Sequence, residues 1–299
     1  MTTRRALLLG FGGLALAGGS YAGGALREAR AQAGTRLFGQ SSVIETDAGA
    51  LEYAVVGYGA PLMMLHGAGG GFDQGLLLSG SIRERGLQII VPSRFGYLQS
   101  AVPDDASPAH QADVLVELLD HLGIERLPVV GGSAGELPAA EFALRHPDRC
   151  SHLVLLVPAA NLSGPDPVEF TAFQQNMVGA VLGSDWWFWL LSRVAPGQLT
   201  RALLATDPAL LDQVSPRERQ RAEITLDQLF PIGRKLDGLC NDGFWSGTPA
   251  PTAFDRIAVP VVQVRPVWHR RDRPYHGKPY SRRTTHDLPD RPAPLARPR

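Results

Sequence analysis

Cysteine is scarce in this chain of 299 residues, and neither sign of charge is in excess. Cys150 and Cys240 lie far apart and have neither the spacing of metal ligands nor that of a redox pair. We interpret both as buried small side chains, with a single disulfide between them left open. Lysine plus arginine and aspartate plus glutamate number 29 each, so the overall charge gives no reason to expect a nucleic-acid partner.

Residues 1–33 have the composition and order of an export signal. Arg4 and Arg5 precede a run rich in glycine, alanine and leucine, and the segment ends in an A-x-A cleavage pattern at Ala31–Ala33. The paired arginines resemble a twin-arginine signal. If the segment is not cut, the roughly 20-residue apolar run is just long enough to anchor the chain in a membrane. We expect a protein that is periplasmic or anchored to the bacterial inner membrane, with an ordinary buried helix as the alternative.

From residue 42 onward, short apolar runs alternate with helical patterns. The continuous runs predict strands that are buried on both faces, as in a parallel sheet: Pro61–Leu65, Leu87–Pro92, Pro128–Gly132 and Leu153–Pro158. The strand pattern resumes at Ile257–Val264. A helix is expected to begin at Ser107-Pro108 and to end at Gly123, and another to run from Leu137 to His146. This alternation predicts an α/β fold with a doubly wound, mainly parallel sheet.

Two segments interrupt the alternation. Residues 165–251 have mostly helical patterns, and we interpret them as a helical cap inserted into a core formed by residues 42–164 and 252–264. Residues 265–299 are dense in arginine and proline, which do not pack well as strand or helix. We expect this tail to be disordered, and its composition suggests a reading-frame shift in the gene near codon 265.

Residues 131–135 form a G-x-S-x-G motif between a predicted buried strand and a predicted helix. Glycines on both sides of Ser133 allow a tight turn that exposes the hydroxyl, and the helix N-terminus favours developing negative charge. Ser133 is therefore the candidate nucleophile, and a structural serine in a glycine-rich turn is the alternative.

The glycine-rich segment His66–Gly71 follows another predicted buried strand. Acyl transfer needs two amide donors for the oxyanion, and we assign them to Ala68 and Ala134, with Gly69 as a substitute for Ala68. Gly67 and Gly69 are also candidate substrate contacts, whereas His66 is expected to orient the loop. The segment lacks the spacing of a phosphate or dinucleotide site, and we expect neither a cofactor nor a metal ion.

The HGxGG segment, the Pro92–Tyr97 stretch, the GGSAG motif and the strand entry at Ile257–Pro260 together resemble the α/β-hydrolase superfamily over about residues 42–264. Because position 133 is serine and not aspartate, the resemblance implies the esterase, lactonase or carbon–carbon-bond hydrolase branches. It also implies an acid just after the strand at 259–264 and a histidine after one further strand. Asp272 and His286 are the candidates, with solvated tail residues as the alternative interpretation and Asp166 as an alternative acid.

The predicted cap supplies bulky aromatic residues, among which Trp186 and Trp189 are candidate contacts to a small lipophilic substrate. Arg94 is a candidate for binding a substrate carboxylate, and a structural ion pair is equally compatible with its position. Ester or lactone hydrolysis is the leading hypothesis. Hydrolysis of carbon–carbon bonds in ring-cleavage products and a non-catalytic remnant are the alternatives, the last because the acid and base region departs from the family.

Overall fold

The computed structural model describes residues 22–156, 179, 181–204, 207–247, 253–264 and 283–285. The described strands form one sheet in the order β1-β2-β4-β3-β5-β6-β7-β8. Their bounds are β1 (Ser42–Thr46), β2 (Gly49–Val56), β3 (Pro61–Leu65), β4 (Gln88–Pro92), β5 (Leu127–Gly132), β6 (Cys150–Leu156), β7 (Val261–Val264) and β8 (Arg283–Thr285). The β1–β2 and β2–β4 pairs are antiparallel, and all other neighbours run parallel. The predicted mainly parallel α/β sheet is confirmed.

The central strands are covered on both faces, which explains why their sequences are continuously apolar. In β3 the consecutive residues Met63, Met64 and Leu65 are all fully buried, although successive side chains point to opposite faces of a sheet. β1, at one edge, is instead mostly exposed. One hydrophobic core cluster joins side chains of the central strands to those of two helices that flank the sheet.

The labelled helices are α1 (residues 22–37), α2 (Phe72–Leu78), α3 (Gly80–Arg83), α4 (Pro108–His121), α5 (Glu136–Arg145), α6 (Asp185–Val194), α7 (Pro196–Leu203), α8 (Pro216–Gln228) and α9 (Leu236–Gly247). α4 begins as predicted, because the Ser107 hydroxyl accepts a hydrogen bond from the amide of His110 at 3.2 Å. It ends before Gly123, whose φ of 66° is the left-handed conformation that glycine adopts readily.

The chain divides into two compact units. One contains residues 41–175 and 234–299 with the sheet, and the other contains residues 1–40 and 176–233. α9 therefore groups with the sheet, whereas the predicted cap extended to residue 251. Side-chain bonds explain this, since Asn241 and Trp245 of α9 both donate to the carbonyl of Ala106, at 3.0 and 3.1 Å.

The predicted cleavage site at Ala31–Ala33 lies within α1, which groups with the helical unit. Ala33 is buried, and Arg36 donates to the carbonyl of Phe230 at 2.5 Å. Within the described part of the chain, no helix combines the length and apolar character needed to cross a bilayer. Export and membrane anchoring remain predictions from the sequence of residues 1–33.

Two other expectations need correction. The tail was expected to contain no strand, yet its residues Arg283–Thr285 form β8, which pairs parallel with β7. The composition of the tail did not indicate this, because three residues of backbone pairing require no apolar pattern. Cys150 is buried as expected, but Cys240 is exposed, and both are free thiols without a disulfide.

We predict that Leu115→Ala lowers the free energy of unfolding by about 2–5 kcal/mol, because Leu115 is fully buried in the core cluster and its truncation leaves a cavity. Urea unfolding followed by circular dichroism measures the change. Val102→Ala, at a half-exposed position of the same unit, is the matched control. An equal and small effect of both substitutions would contradict the assigned core.

Candidate active site

The two glycine-rich loops lie side by side because the strands that precede them are paired. Leu65, the last residue of β3, is opposite Gly131 of β5 in the parallel register. A Cβ atom placed on Gly67 would lie 3.2 Å from the Cβ of Ser133. A Cβ on Gly135 would lie 2.5 Å from the carbonyl oxygens of Leu65 and His66. Only glycine fits at residue 135, and its absent side chain lets the two loops approach each other closely.

Ser133 lies at a sharp turn between β5 and α5. Its φ of 49° is left-handed, which is uncommon for a residue other than glycine and stores backbone strain. A short 3₁₀ turn, Ser133–Gly135, leads directly into α5. The serine is exposed, and its hydroxyl forms no hydrogen bond with any other described residue. The strand, turn and helix that the G-x-S-x-G motif requires are thus present.

Most amides of the His66–Gly71 loop are already hydrogen-bonded. Gly67 donates to the side-chain oxygen of Gln74 at 2.9 Å, Gly69 donates to the hydroxyl of Tyr97 at 3.1 Å, and Gly70 donates to the carbonyl of Gly67 at 3.2 Å. The amide of Ala68 has no acceptor among the described residues. The geometry therefore favours Ala68 over Gly69 as an oxyanion donor, and it leaves no free amide on Gly67 or Gly69 for the predicted substrate contacts.

The amide of Ala134 lies in the first turn of the helical segment that follows Ser133. Amides in this position have no acceptor within the helix, and they carry the positive end of the helix dipole. Ala134 is itself buried, so a negative charge near its amide would be poorly solvated by water. This local arrangement suits an oxyanion donor.

His66 is fully buried, and both of its ring nitrogens are engaged. Nδ1 lies 2.8 Å from the carbonyl of Gly67 and therefore carries the proton, while Nε2 accepts the amide of Arg94 at 3.0 Å. Burial lowers the pKa of His66 well below 6.5, and the nearby positive charges of Arg94 and Lys235 lower it further. A neutral ring bonded at both ends holds the loop in place and is not available as a general base.

Arg94 is buried and forms a bidentate ion pair with Asp242 of α9, with both N–O distances at 2.6 Å. Its Nε also donates to the carbonyl of His66 at 3.0 Å. Burial disfavours the charged guanidinium, but the Asp242 carboxylate outweighs it and raises the pKa of Arg94. The expectation that Arg94 binds a substrate carboxylate is therefore corrected. Its guanidinium is occupied by a protein carboxylate, and the alternative interpretation, a structural ion pair, describes Arg94.

A family model described as the alpha/beta hydrolase fold matches residues 60–203, which include both loops and the turn at Ser133. This chain has the α/β-hydrolase fold. An alpha/beta hydrolase fold protein from Nakamurella multipartita is similar in structure, with a TM-score of 0.61 and 25% identity, over 75% of this chain and 80% of that one.

Two curated relatives are similar to this chain over shorter stretches. An uncharacterized hydrolase of Bacillus subtilis (strain 168) is 38% identical over 112 residues, which are 38% of this chain and 39% of the relative. A 2-hydroxy-6-oxo-6-phenylhexa-2,4-dienoate hydrolase of Burkholderia cepacia is 32% identical over 121 residues, which are 38% of this chain and 42% of the relative. The chain thus matches about two fifths of the length of these relatives.

The remaining candidate residues lie either outside the described residues or in the helical unit. Asp272, His286 and Asp166 lie outside the described residues, although His286 follows directly after the last residue of β8. Trp186 and Trp189 belong to the helical unit, where their ring centroids are 5.5 Å apart. Their role as substrate contacts remains a prediction. Among the described residues, no three or more His, Cys, Asp or Glu side chains are grouped to hold a metal ion.

Sequence reasoning missed Tyr97, Gln74 and Asp242, which fix the loop that carries Ala68. Tyr97 ends the Pro92–Tyr97 stretch, but nothing in the pattern of that stretch indicates that its hydroxyl bonds the amide of Gly69. Asp242 is 148 residues from Arg94 in the chain, so no local spacing could have paired them.

We predict that the buried neutral state of His66 makes the protein less stable in mild acid. The pKa of His66 is lower in the folded chain than in the unfolded chain, so below about pH 6.5 the unfolded chain binds a proton that the folded chain does not. The free energy of unfolding therefore decreases as the pH is lowered, by up to about 1.4 kcal/mol per pH unit. Urea unfolding between pH 7.5 and 5 should therefore give a steeper slope for the wild type than for His66→Gln.

The control for this measurement is His152→Gln, because His152 is exposed on β6. Its pH slope should match that of the wild type. If His66→Gln kept the full wild-type slope, the ring of His66 would not be held neutral by burial.

Proposed function

We propose that this chain is a serine hydrolase that cleaves a small lipophilic carboxylic ester or lactone through an acyl-enzyme on Ser133. The observation that carries the proposal is the left-handed turn at Ser133, which presents an exposed hydroxyl next to the loop that contains Ala68, whose amide has no acceptor among the described residues. A nucleophile and an oxyanion donor on adjacent loops are what acyl transfer requires.

In the proposed reaction, the Ser133 hydroxyl attacks the carbonyl carbon while a histidine accepts its proton. The negative oxygen of the tetrahedral intermediate is bound by the amides of Ala68 and Ala134. Collapse of the intermediate breaks the ester bond, and the histidine returns the proton to the departing alcohol. Water then cleaves the acyl-enzyme by the same steps. We assign the histidine to His286 and the acid to Asp272, on the sequence alone.

The pairing of Arg94 bears on the class of substrate. A substrate with a free carboxylate needs a cationic or strongly donating partner, and the fork of Arg94 is already filled by Asp242. His66 is neutral and buried, so it offers no charge either. These facts support a neutral ester or lactone as the substrate.

The proposal predicts covalent labelling of Ser133 by a fluorophosphonate probe. The wild-type chain, including residues 265–299, should react in a time-dependent way, because a base must activate the serine for this reaction. Ser133→Ala should abolish the labelling. Ser81→Ala, at an exposed serine of α3, is the matched control and should label fully. A folded wild-type protein that does not label would indicate a turn without a working base, and the chain would be a non-catalytic remnant.

A second candidate function is hydrolysis of a carbon–carbon bond in a ring-cleavage product. It is favoured by the relative from Burkholderia cepacia, whose name gives 2-hydroxy-6-oxo-6-phenylhexa-2,4-dienoate as its substrate. The same serine turn serves both reactions, but that substrate carries a carboxylate, for which Arg94 is not available.

We predict that kcat/KM is at least about tenfold higher for p-nitrophenyl butyrate than for this dienoate, which corresponds to about 1.4 kcal/mol of transition-state binding. Both reactions are followed by absorbance with the same enzyme preparation, and Ser133→Ala provides the background rate. Faster turnover of the dienoate would reverse the order of the two candidates.

A further inference from the structure

The His66–Gly71 loop, which contains Ala68, is held by the Arg94–Leu98 loop. Tyr97 provides the contact nearest to Ala68, because its hydroxyl accepts the amide of Gly69 at 3.1 Å. Arg94 bonds the ring and the carbonyl of His66, both at 3.0 Å. The bond from Tyr97 fixes the peptide group that follows Ala68, and the bonds from Arg94 fix His66 at the start of the loop. The amide of Ala68 itself has no acceptor among the described residues.

The Arg94–Leu98 loop is in turn held by the residues at the start of α9. Gly238 donates its amide to the carbonyl of Gly96, and Leu98 donates to the carbonyl of Arg234, at 3.0 and 2.8 Å. Asp242 accepts both the Arg94 fork and the hydroxyl of Tyr97. The hydroxyl of Tyr97 therefore donates to Asp242 and accepts from Gly69, and both of its bonding capacities are used in a site where it is fully buried.

The close packing of α9 against Tyr97 requires glycine at position 238. A Cβ atom on Gly238 would lie 2.3 Å from the ring of Tyr97, which is closer than two carbon atoms can approach. Leu98 adopts a left-handed φ of 57°, and its side chain would meet a Cβ on Gly71 at 2.5 Å. A strained backbone conformation persists only where surrounding contacts hold it in place. Here those contacts come from the His66–Gly71 loop, the Arg94–Leu98 loop and α9.

We infer that Tyr97, fixed by Asp242 of α9, is a positioning residue that occupies the amide of Gly69 and thereby directs the amide of Ala68 to the oxyanion. This inference rests on the proposed hydrolase function and adds a residue to it. Tyr97 acts through the loop and does not touch the substrate. Its loss should weaken binding of the transition state more than binding of the substrate.

The first test is Tyr97→Phe, which keeps the ring and removes both hydrogen bonds of the hydroxyl. With p-nitrophenyl butyrate, kcat should fall by about 10- to 100-fold, as expected for a displaced oxyanion donor, while KM stays close to the wild-type value. The Ki of an arylboronic acid, which forms a tetrahedral adduct with the serine, should rise by a similar factor. Tyr53→Phe, at a buried tyrosine of β2, is the control and should change none of these values.

The second test uses two glycines of α9. Gly238→Ala should displace the Tyr97 ring and lower kcat in the same way. Gly243→Ala, where an added Cβ meets no atom of the described residues within 4 Å, should leave kcat unchanged. Hydrogen exchange followed by mass spectrometry should show faster exchange of residues 66–71 in Tyr97→Phe and Gly238→Ala only, whether or not the wild type is active.

The outcomes separate the two proposals. A wild-type chain without labelling or turnover would overturn the proposed hydrolase function, and unchanged exchange at residues 66–71 would then overturn the positioning role as well. A wild-type chain that is active, with kcat, Ki and exchange unaltered in Tyr97→Phe, would overturn the positioning role alone. A loss of kcat with unchanged boronate Ki would also contradict it, because the damage would then lie outside the oxyanion site.

Discussion

The parallel pairing of β3 with β5 is the constraint on which the candidate site depends. With Leu65 opposite Gly131, the chain leaves both strands at the same edge of the sheet, and two loops must share the space there. Glycine at position 135 makes room for them, and Ser133 is left in a backbone conformation that costs of order 1–3 kcal/mol. The sheet supplies the rigidity that keeps this strain in place.

Buried polar groups give the loops their geometry. The Arg94–Asp242 pair is almost inaccessible to water, so removing either partner would leave an uncompensated charge at a cost of about 3–5 kcal/mol. Glu52 of β2 also fixes loop geometry through a buried carboxylate. It accepts a hydrogen bond from the hydroxyl of Ser93 at 2.8 Å, and that hydroxyl accepts one from the amide of Phe72. The hydrogen bonds of Arg94 and Tyr97 thus stabilise this part of the fold and also hold the loop whose Ala68 amide has no acceptor among the described residues.

Much of this could be predicted from the sequence, because the deciding signals are local. Continuous apolar runs gave the central strands, Ser107 and Gly123 gave the ends of α4, and the glycines around Ser133 gave the turn. The pairing of Arg94 with Asp242 could not be predicted, since it depends on how distant segments pack. The same holds for the hydroxyl of Tyr97 and for the grouping of α9 with the sheet. The strand β8 was missed because its pairing is carried by the backbone and leaves no pattern in an arginine-rich segment.

The central claim is that Ser133 and the amides of Ala68 and Ala134 form one acyl-transfer site. A crystal structure of the protein after reaction with an arylboronic acid or a fluorophosphonate tests it most directly. The account predicts an adduct on the Ser133 oxygen, with one adduct oxygen about 2.7–3.1 Å from the nitrogens of Ala68 and Ala134. An adduct on another residue, or an adduct oxygen bonded by neither amide, would contradict it.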